Sequence, residues 1–584
     1  MTVNWLKPAN FFKFQLKLNL PKDTSMIGLA ALVGVINGFI LVLYHYLIDA
    51  VNVFFFETIR LNLPEFLQDI FQILIPALGG LFIAILFLKI VRYEKEYGAP
   101  AIMDAVVNHG GFMPKTLPII TFAASIMCIA TGGSVGKEGP SILIGAGIAS
   151  YIGTRLRLGD DKVRLLVGAG AATGLAATFN VPIAGSIFAL EIIMADFSIR
   201  AFSPVIIASV FATTISRMYV HNGPLFDITG YSLVSPLELP FYLLLGGLGG
   251  FISVWIIRSH SFFHNFFKNK LNIDEFYKPI IGGLIVGVMG YYFNETYGYD
   301  DSVINRILNG GYEIHIVFIL FFIKLYAMNI TLASGGIGGL FTPTLIIGAL
   351  YGLLFGILIN MIYPDFTAPA GAYAMVGMAV MTAGVQHAML SAIMIIFEST
   401  TNYEIMLPLM IGVVPAITIS RFLNQESIYT MQFKFWGDRI ARGRNVEILE
   451  KMNINSVITD DYETIQESVP MLSIIDKFMN TKYSTFPVIN TEDEIVGIIS
   501  IRDIREVMFD EALHPLLIAH DFATRDIITL DDDSSFEDAF SKFDFGDFDS
   551  LPVVYKNTNK IKGIVLKEDL IKVYRKELLF SSHV

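Results

Sequence analysis

The stretch TGGSVGKEGP, from Thr131 to Pro140, places a glycine-rich turn, a lysine and a glutamate inside an apolar region. A glycine-rich turn ending in Gly-Lys is similar to the phosphate-binding loop G-x-x-x-x-G-K-[ST], whose hydroxyl group binds magnesium. Here the first glycine position of that loop is Thr131, and the hydroxyl position is Glu138. A carboxylate beside bound phosphates would repel them. Both the pattern and the chemistry therefore exclude a nucleotide-hydrolysing loop.

The composition of the 584-residue chain indicates a membrane protein. Hydrophobic residues make up 54% and charged residues 16%, with a mean hydropathy of +0.58, whereas soluble domains have about 25% charged residues. Most of the net charge of −12 lies after Phe433, which predicts an acidic soluble tail. The acidic pI argues against nucleic-acid binding. The single cysteine, Cys128, excludes an intrachain disulfide or a cysteine-based zinc site.

Apolar and polar stretches divide the chain into four parts. We expect an N-terminal segment at 1–24, a membrane region at 25–432, a linker at 433–451 and a soluble tail at 452–584. Lysines in the first segment predict that both it and the tail lie in the cytoplasm. An amphipathic arm on the membrane surface is an alternative for the first segment and is compatible with that placement.

Many apolar segments are broken by glycine or proline and are shorter than the roughly 20 residues of a membrane-spanning helix. Such segments predict helices that stop partway through the bilayer. The two halves also echo each other. GKEGP is followed 51 residues after its proline by Glu191, and GLFTP is followed 55 residues after its proline by Glu398. This echo predicts an internal repeat with a binding site near the midplane, and chance similarity between apolar sequences is the alternative.

Three stretches have the design of an anion-binding helix N-terminus: Tyr97–Pro100, Gly136–Pro140 and Gly338–Pro343. The start of a helix exposes unpaired N–H groups and the positive end of its dipole, and a proline there sacrifices no hydrogen bond. Tyr429 adds a phenol donor that could face the same point. Partial charges suit a transported anion, which must be bound and then released.

Glu138 lies on one of these anion-binding stretches, so its carboxylate is expected to occupy the site itself. Protonation would neutralise the carboxylate and free it to move away, which predicts pH-dependent transport. An ionisable side chain within the membrane is a functional candidate by default. The alternative is a glutamate exposed on a loop between membrane segments.

The combination of YGAP, GKEGP and GGLFTP with a late Tyr429 resembles the CLC family of chloride channels and proton-coupled anion antiporters. The resemblance implies an all-α polytopic membrane protein, a homodimer with one pore per subunit, built from inverted repeats of tilted, re-entrant helices. It implies that Glu138 is the gating glutamate. The anion-binding residues that it implies are Tyr97, Gly98, Pro100, Gly136, Lys137, Gly139, Gly339, Leu340, Phe341 and Tyr429.

Two positions depart from the family pattern. Tyr97 stands where the family usually has a serine or a proline, so the preferred anion stays open between chloride and other small anions. The antiporters resemble one another in an inward-facing proton glutamate, and Ile192 occupies that position here, next to Glu191. An isoleucine cannot relay a proton. This favours a channel. If the protein is an antiporter, Glu191 is the candidate internal proton site, and a chain of water molecules is the alternative route.

The tail contains two similar units, at about 452–510 and 519–578, that resemble a pair of CBS domains of α/β structure. Such pairs bind adenine nucleotides (ATP, ADP or AMP), with an aspartate on the ribose in a G-h-x-S-x-x-D stretch. Gly497, Ser500 and Asp503 fit that stretch in the first unit. The second unit has Asp569 but Leu566 at the hydroxyl position. A helix N-cap or first-turn acid is the alternative for both aspartates.

Three classes of function compete. A passive chloride channel, gated by voltage or pH through Glu138, is favoured, and a H+/Cl− exchange antiporter on the same scaffold is the alternative. A membrane-bound enzyme or ATP-driven pump lacks the required motifs in this sequence. We expect no enzyme activity, no metal site and no required cofactor.

Overall fold

The computed structural model describes residues 22–580 except 91–97, 221–222, 224–225, 227–230, 232, 299–301, 437–451, 482, 484, 505–513, 526, 547–549 and 557. The chain forms two compact units, Met1–Arg439 and Ile440–Val584. The first unit is built of helices, and the second combines helices with two small sheets.

The first unit contains 17 α-helices in its described residues. They are α1 Lys22–Asn52, α2 Glu65–Ile90, α3 Ala99–Asn108, α4 Thr116–Ala130, α5 Glu138–Arg155, α6 Asp160–Phe179, α7 Pro182–Phe188, α8 Ile199–Tyr219, α9 Leu239–Asn265, α10 Lys278–Tyr292, α11 Ser302–Leu308, α12 Ile314–Ala333, α13 Phe341–Ile362, α14 Ala370–Gln386, α15 Met389–Thr400, α16 Met406–Leu423 and α17 Thr430–Trp436. Helix α7 continues as a π-helical turn, Ala189–Met194. Helix α17 extends into the stretch predicted to be linker, and the rest of that stretch lies outside the described residues.

Helix lengths fall into two groups, as the sequence predicts. Among the described residues, seven helical segments are long and apolar enough to cross a membrane, and four further apolar helices are too short. The long segments are Ser25–Ile59, Glu65–Leu86, Ile199–Tyr219, Pro236–Lys270, Ile314–Ala333, Phe341–Ile362 and Met406–Leu423. The short ones are Thr116–Ala130, Pro182–Met194, Ala370–Gln386 and Met389–Thr400.

The two halves of the unit repeat one packing arrangement. In the first half α5 packs on α6, and in the second half α13 packs on α14. A Cβ atom on Gly145 of α5 would lie 2.2 Å from the carbonyl oxygen of Gly170, and one on Gly348 of α13 would lie 2.5 Å from that of Gly377. Small residues allow membrane helices to approach this closely. Glycine therefore sets the crossing in both halves, which explains the glycine-rich apolar runs.

The second unit contains two sheets with equivalent cores. One sheet has the order β2–β3–β4 and the other the order β1–β7–β6–β5. The strands are β1 Ile458–Thr459, β2 Ile465–Gln466, β3 Thr485–Ile489, β4 Ile495–Ser500, β5 Leu530–Asp531, β6 Ser550–Val554 and β7 Ile561–Leu566. The helices are α18 Met471–Asn480, α19 Ile501–Ile504, α20 Ala519–Phe522, α21 Phe536–Gly546 and α22 Lys567–Phe580.

The two halves of the tail match in detail. The hairpins β3–β4 and β6–β7 are both antiparallel. The strand register shifts between Val488 and Ile489 in the first hairpin and between Val553 and Val554 in the second. The sequence predicts that each first strand begins with Pro-Val, but β3 and β6 begin two residues earlier, at Thr485 and Ser550. Phe486 and Leu551, the residues before those prolines, point into the two cores, so burial extends each strand toward its N-terminus.

Candidate functional site

The site lies where two helices begin side by side. Helix α5 starts at Glu138 and helix α13 at Phe341. Just before them, the N–H of Gly136 donates to the carbonyl of Gly339 (2.9 Å), and the N–H of Gly339 donates to that of Gly136 (2.7 Å). This isolated antiparallel bridge brings both helix N-termini, with their unpaired N–H groups, to one place.

The carboxylate of Glu138 occupies the N-terminus of α13. Its Oε1 atom accepts hydrogen bonds from the backbone N–H groups of Phe341 (2.7 Å) and Thr342 (3.0 Å). Its Oε2 atom accepts one from the Thr342 hydroxyl (2.8 Å). Glu138 is only 1% exposed. A negative group is thus bound by helix-end donors and withdrawn from solvent, which is how such donors hold an anion.

The glycines of the two motifs leave the room that this carboxylate fills. A Cβ atom on Gly136 would lie 1.9 Å from Glu138 Oε2, and one on Gly339 would lie 2.1 Å from Glu138 Oε1. A Cβ atom on Gly139 would lie 2.8 Å from the Cα atom of Gly339. Glycine at 136 and 339 therefore lets the Glu138 carboxylate approach the backbone, and glycine at 139 lets the two helix starts approach each other.

Other predicted residues line the start of these helices. Lys137 and Leu340 are the N-cap residues of α5 and α13. Phe341 is buried, with its ring centroid 5.4 Å from that of Phe179 on α6. These contacts fix the backbone whose N–H groups face Glu138.

Tyr429 lies just before α17 and is buried. Its ring stands edge-on to Phe188 of α7, with the centroids 6.5 Å apart. Within the described part of the chain, no hydrogen bond joins Tyr429 to Glu138. Tyr429 and Glu138 lie on different elements of the unit, and the carboxylate of Glu138 is close enough to act electrostatically on the Tyr429 phenol.

The first predicted motif is described in part. Tyr97 lies outside the described residues. Gly98 has φ 106°, which favours glycine, and precedes α3, with Pro100 buried in the first turn. Helix α3 contacts both α5 and the α17 helix that follows Tyr429. Gly98 and Pro100 thus lie at the start of an element that touches the helix of Glu138 and the helix after Tyr429.

Glu191 caps a helix of the opposite half. Its Oε1 atom accepts a hydrogen bond from the N–H of Leu390 (3.1 Å), and its Oε2 atom accepts from the N–H (2.8 Å) and hydroxyl (2.6 Å) of Ser391. These donors belong to the first turn of α15. The neighbouring Ile192 is half-buried. The Glu191 carboxylate therefore already has a structural use as an N-terminal cap.

Thr342 is a site residue that the sequence analysis missed. It lies between Phe341 and Pro343 in the GLFTP stretch, and the spacing of glycine, phenylalanine and proline in that stretch does not indicate where the Thr342 side chain points. The signal in the sequence is a hydroxyl-bearing residue between Phe341 and Pro343, on a stretch that is predicted to bind an anion.

In the tail, Ser500 and Asp503 are bonded to each other. Both the N–H and the hydroxyl of Ser500 donate to Asp503 Oδ2, each at 2.7 Å. Asp569 lies in the first turn of α22 and pairs with Lys572 at 3.1 Å. Asp503 is exposed and accepts hydrogen bonds from Ser500, whereas Asp569 is engaged by a lysine. Over the ranges that the structure describes, no group of three acidic, histidine or cysteine side chains could hold a metal ion.

Family comparisons cover both units. The sequence model described as "Voltage gated chloride channel" matches residues 79–421, and the CBS domain model matches residues 454–510 and 519–576.

The curated relatives include proteins named as chloride channels and proteins named as exchange transporters. A putative ClcB-like chloride channel protein of Ralstonia nicotianae is 30% identical over 61% of this chain and 84% of its own length. The H(+)/Cl(−) exchange transporter ClcA of Vibrio cholerae is 28% identical over 72% of this chain and 94% of its own length.

Among solved structures, a slow cyanobacterial Cl−/H+ antiporter has a similar fold. Its TM-score is 0.66 at 22% identity, over 71% of this chain and 98% of that protein. These likenesses confirm the predicted fold class of a multi-helical membrane unit followed by a CBS pair.

Proposed function

Since this chain belongs to the voltage gated chloride channel family, we propose that it is a passive channel for chloride or a similar small anion and that Glu138 is its gate. The chain is a multi-pass membrane protein of a family that transports anions. The observation that supports the finer proposal is the Glu138 carboxylate bound to the N–H groups of Phe341 and Thr342. A bound carboxylate at this point excludes an anion from the same donors.

Gating follows from the charge of Glu138. While ionised, the carboxylate is attracted to the positive end of the α13 dipole and accepts three hydrogen bonds. Protonation removes the negative charge, weakens this attraction and releases the side chain. The donors then become free for an anion, so lowering the pH favours the open state. A change in membrane voltage also favours the open state if it drives an anion into the site, where the anion displaces the carboxylate.

The remaining motif residues are assigned to the lining of the pathway. We assign anion contacts to the backbone around Gly98 and Pro100, to Gly136, Lys137 and Gly139, and to Gly339, Leu340 and Phe341. The Tyr429 hydroxyl and Tyr97 complete the assignment. Partial charges at helix ends bind an anion without trapping it, which fast permeation requires.

Proton-coupled exchange is the second candidate. The Vibrio cholerae relative named a H(+)/Cl(−) exchange transporter favours it. It requires an internal proton acceptor, and Glu191 is the candidate because Ile192 carries no proton. The hydrogen bonds that Glu191 accepts from α15 oppose this use, because a protonated carboxyl would lose part of that cap. We therefore favour the channel.

The test is anion flux from proteoliposomes with the external pH recorded at the same time. A channel moves chloride without stoichiometric proton movement, and proton uptake driven by a chloride gradient would contradict the proposal. Glu138→Gln is expected to keep or increase the flux and to remove its pH dependence. Glu313→Gln is the matched control, because its side chain is 78% exposed and lies outside the site.

Partners follow from the family and the chain organisation. We propose a homodimer in a lipid bilayer with both termini in the cytoplasm, performing transport and no covalent chemistry. We also propose that the CBS pair binds an adenine nucleotide (ATP, ADP or AMP) through Ser500, Asp503 and Asp569. The exposure of Asp503 and its hydrogen bonds with Ser500 support this assignment.

A further inference from the structure

Thr342 provides a side-chain donor at the gate in addition to the backbone. Its hydroxyl donates to Glu138 Oε2 at 2.8 Å, and the residue is 4% exposed. The backbone N–H groups of Phe341 and Thr342 donate only to the other oxygen, Oε1. The carboxylate is therefore held at two points, by different donors on each oxygen.

This use of a threonine hydroxyl differs from the usual one within the helices of the unit. A threonine within a helix usually donates to the carbonyl four residues earlier. Thr344, two residues further along α13, does so with Leu340 (2.7 Å). Other residues with the same bond include Thr331, Thr382, Thr400 and Thr418. Thr342 instead places its hydroxyl on the charged occupant of the site.

We propose that Thr342 makes the N-terminus of α13 a two-point receptor that favours planar oxoanions, such as nitrate or formate, over halides. Nitrate and formate present two oxygens from one planar centre, as the Glu138 carboxylate does. They can therefore use the backbone donors and the Thr342 hydroxyl together after the carboxylate leaves. A halide is a single centre and must share donors that are arranged around two atoms. This inference rests on the proposed exchange between Glu138 and a transported anion.

The test measures anion selectivity in a background without the gate. Flux of chloride, bromide, nitrate and formate is compared in proteoliposomes of Glu138→Ala and of Glu138→Ala with Thr342→Val. Valine keeps the shape of threonine and removes the donor. Loss of one hydrogen bond to an anion corresponds to about a 10-fold to 100-fold change. We expect nitrate and formate flux to fall by about that factor relative to chloride, with the chloride to bromide ratio unchanged.

Two variants make the result specific. Thr342→Ser keeps the hydroxyl and should retain the nitrate preference, and Thr344→Val removes a buried hydroxyl of the same helix that contacts a carbonyl only. If Thr342→Val does not fold, Thr342→Ala removes the same donor with less bulk. Nitrate and chloride changing by equal factors, or Thr344→Val matching Thr342→Val, would overturn the inference.

Failure of the gating proposal has a different signature. In that case Glu138→Gln leaves the pH dependence of flux unchanged, whatever Thr342 does to selectivity. Failure of the present inference leaves Glu138→Gln effective and the nitrate to chloride ratio insensitive to Thr342→Val.

Discussion

Glu191 and Glu398 cap each other's helices across the two halves of the membrane unit. Glu398, near the end of α15, accepts hydrogen bonds from the N–H groups of Ile183 (3.1 Å) and Ala184 (2.8 Å) at the start of α7. Glu191, in the π-helical extension of α7, binds the start of α15 in the same way. Each short helix thus ends with the acid that caps the other. The pair joins the halves, and α7 also carries the Phe188 ring that contacts Tyr429.

Removing either cap should destabilise the unit. Loss of a side-chain cap costs about 0.5–2 kcal/mol, so Glu191→Ala and Glu398→Ala are each expected to lower the thermal unfolding temperature in detergent. The double variant should lose less than the sum, because both caps hold the same two helices. The control is Glu313→Ala, whose side chain is exposed. If Glu191→Ala keeps its unfolding temperature but loses proton-coupled flux, Glu191 is a proton acceptor and not a cap.

Gly136→Ala should disable the closed gate without unfolding the chain. The three atoms nearest to its added Cβ, at 1.9–2.6 Å, all belong to the Glu138 side chain, which can rotate away. We expect chloride flux at neutral pH to rise toward that of Glu138→Gln, with a weaker pH dependence. Gly28→Ala is the control, because nothing lies within 4 Å of its added Cβ. An unchanged pH profile in Gly136→Ala would contradict the position of the carboxylate.

The local parts of the site could be predicted from the sequence. Glycine and proline around Glu138 and Phe341 predict helix starts, and the structure places both residues at such starts. The partners of the acids could not be predicted, because they lie far away in the chain. Glu138 binds donors 203 and 204 residues distant, and Glu191 binds donors 199 and 200 residues distant. The spacing of residues along the chain does not indicate which helix of one half packs against which helix of the other.

Side-chain direction was the second missing element. The G-x-F-x-P spacing of GLFTP indicates backbone donors and leaves Thr342 unassigned. The bridge between Gly136 and Gly339 joins the two helix starts, and there the Thr342 hydroxyl donates to Glu138. The sequence shows Glu191 and Glu398 at corresponding positions of the two halves. It does not show that each caps the helix of the other, because this depends on the antiparallel placement of α7 and α15.

In the tail, Asp503 and Asp569 should contribute unequally to nucleotide binding. Asp503 has a serine partner and an exposed carboxylate, whereas Asp569 is paired with Lys572 and follows Leu566. We expect Asp503→Ala to weaken ATP binding by the full-length protein at least 10-fold and Asp569→Ala to weaken it less. Calorimetric titration in detergent measures both. Equal binding by the wild type and Asp503→Ala would leave Asp503 as a helix-start residue only.

Lys324 should be required for the stability of the unit. Its ammonium group, on a residue that is 2% exposed, donates to the carbonyls of Glu295 (3.1 Å), Thr296 (3.0 Å) and Tyr297 (3.0 Å). Lys324→Met preserves the apolar stem and leaves these carbonyls without that donor. Because one unsatisfied buried acceptor costs about 1–3 kcal/mol, we expect a clear fall in the unfolding temperature.

Lys324→Met should also alter gating by Glu138. The N–H of Gly298, next to Tyr297, donates to the carbonyl of Gly133 (3.1 Å), in the turn that leads to Glu138. Loosening this turn should broaden the pH dependence of flux in Lys324→Met. Lys572→Met is the control, because its ion pairs are exposed and such pairs contribute little to stability. Equal unfolding temperatures for Lys324→Met and the wild type would show that the three carbonyls find other donors and that Lys324 does not hold the turn.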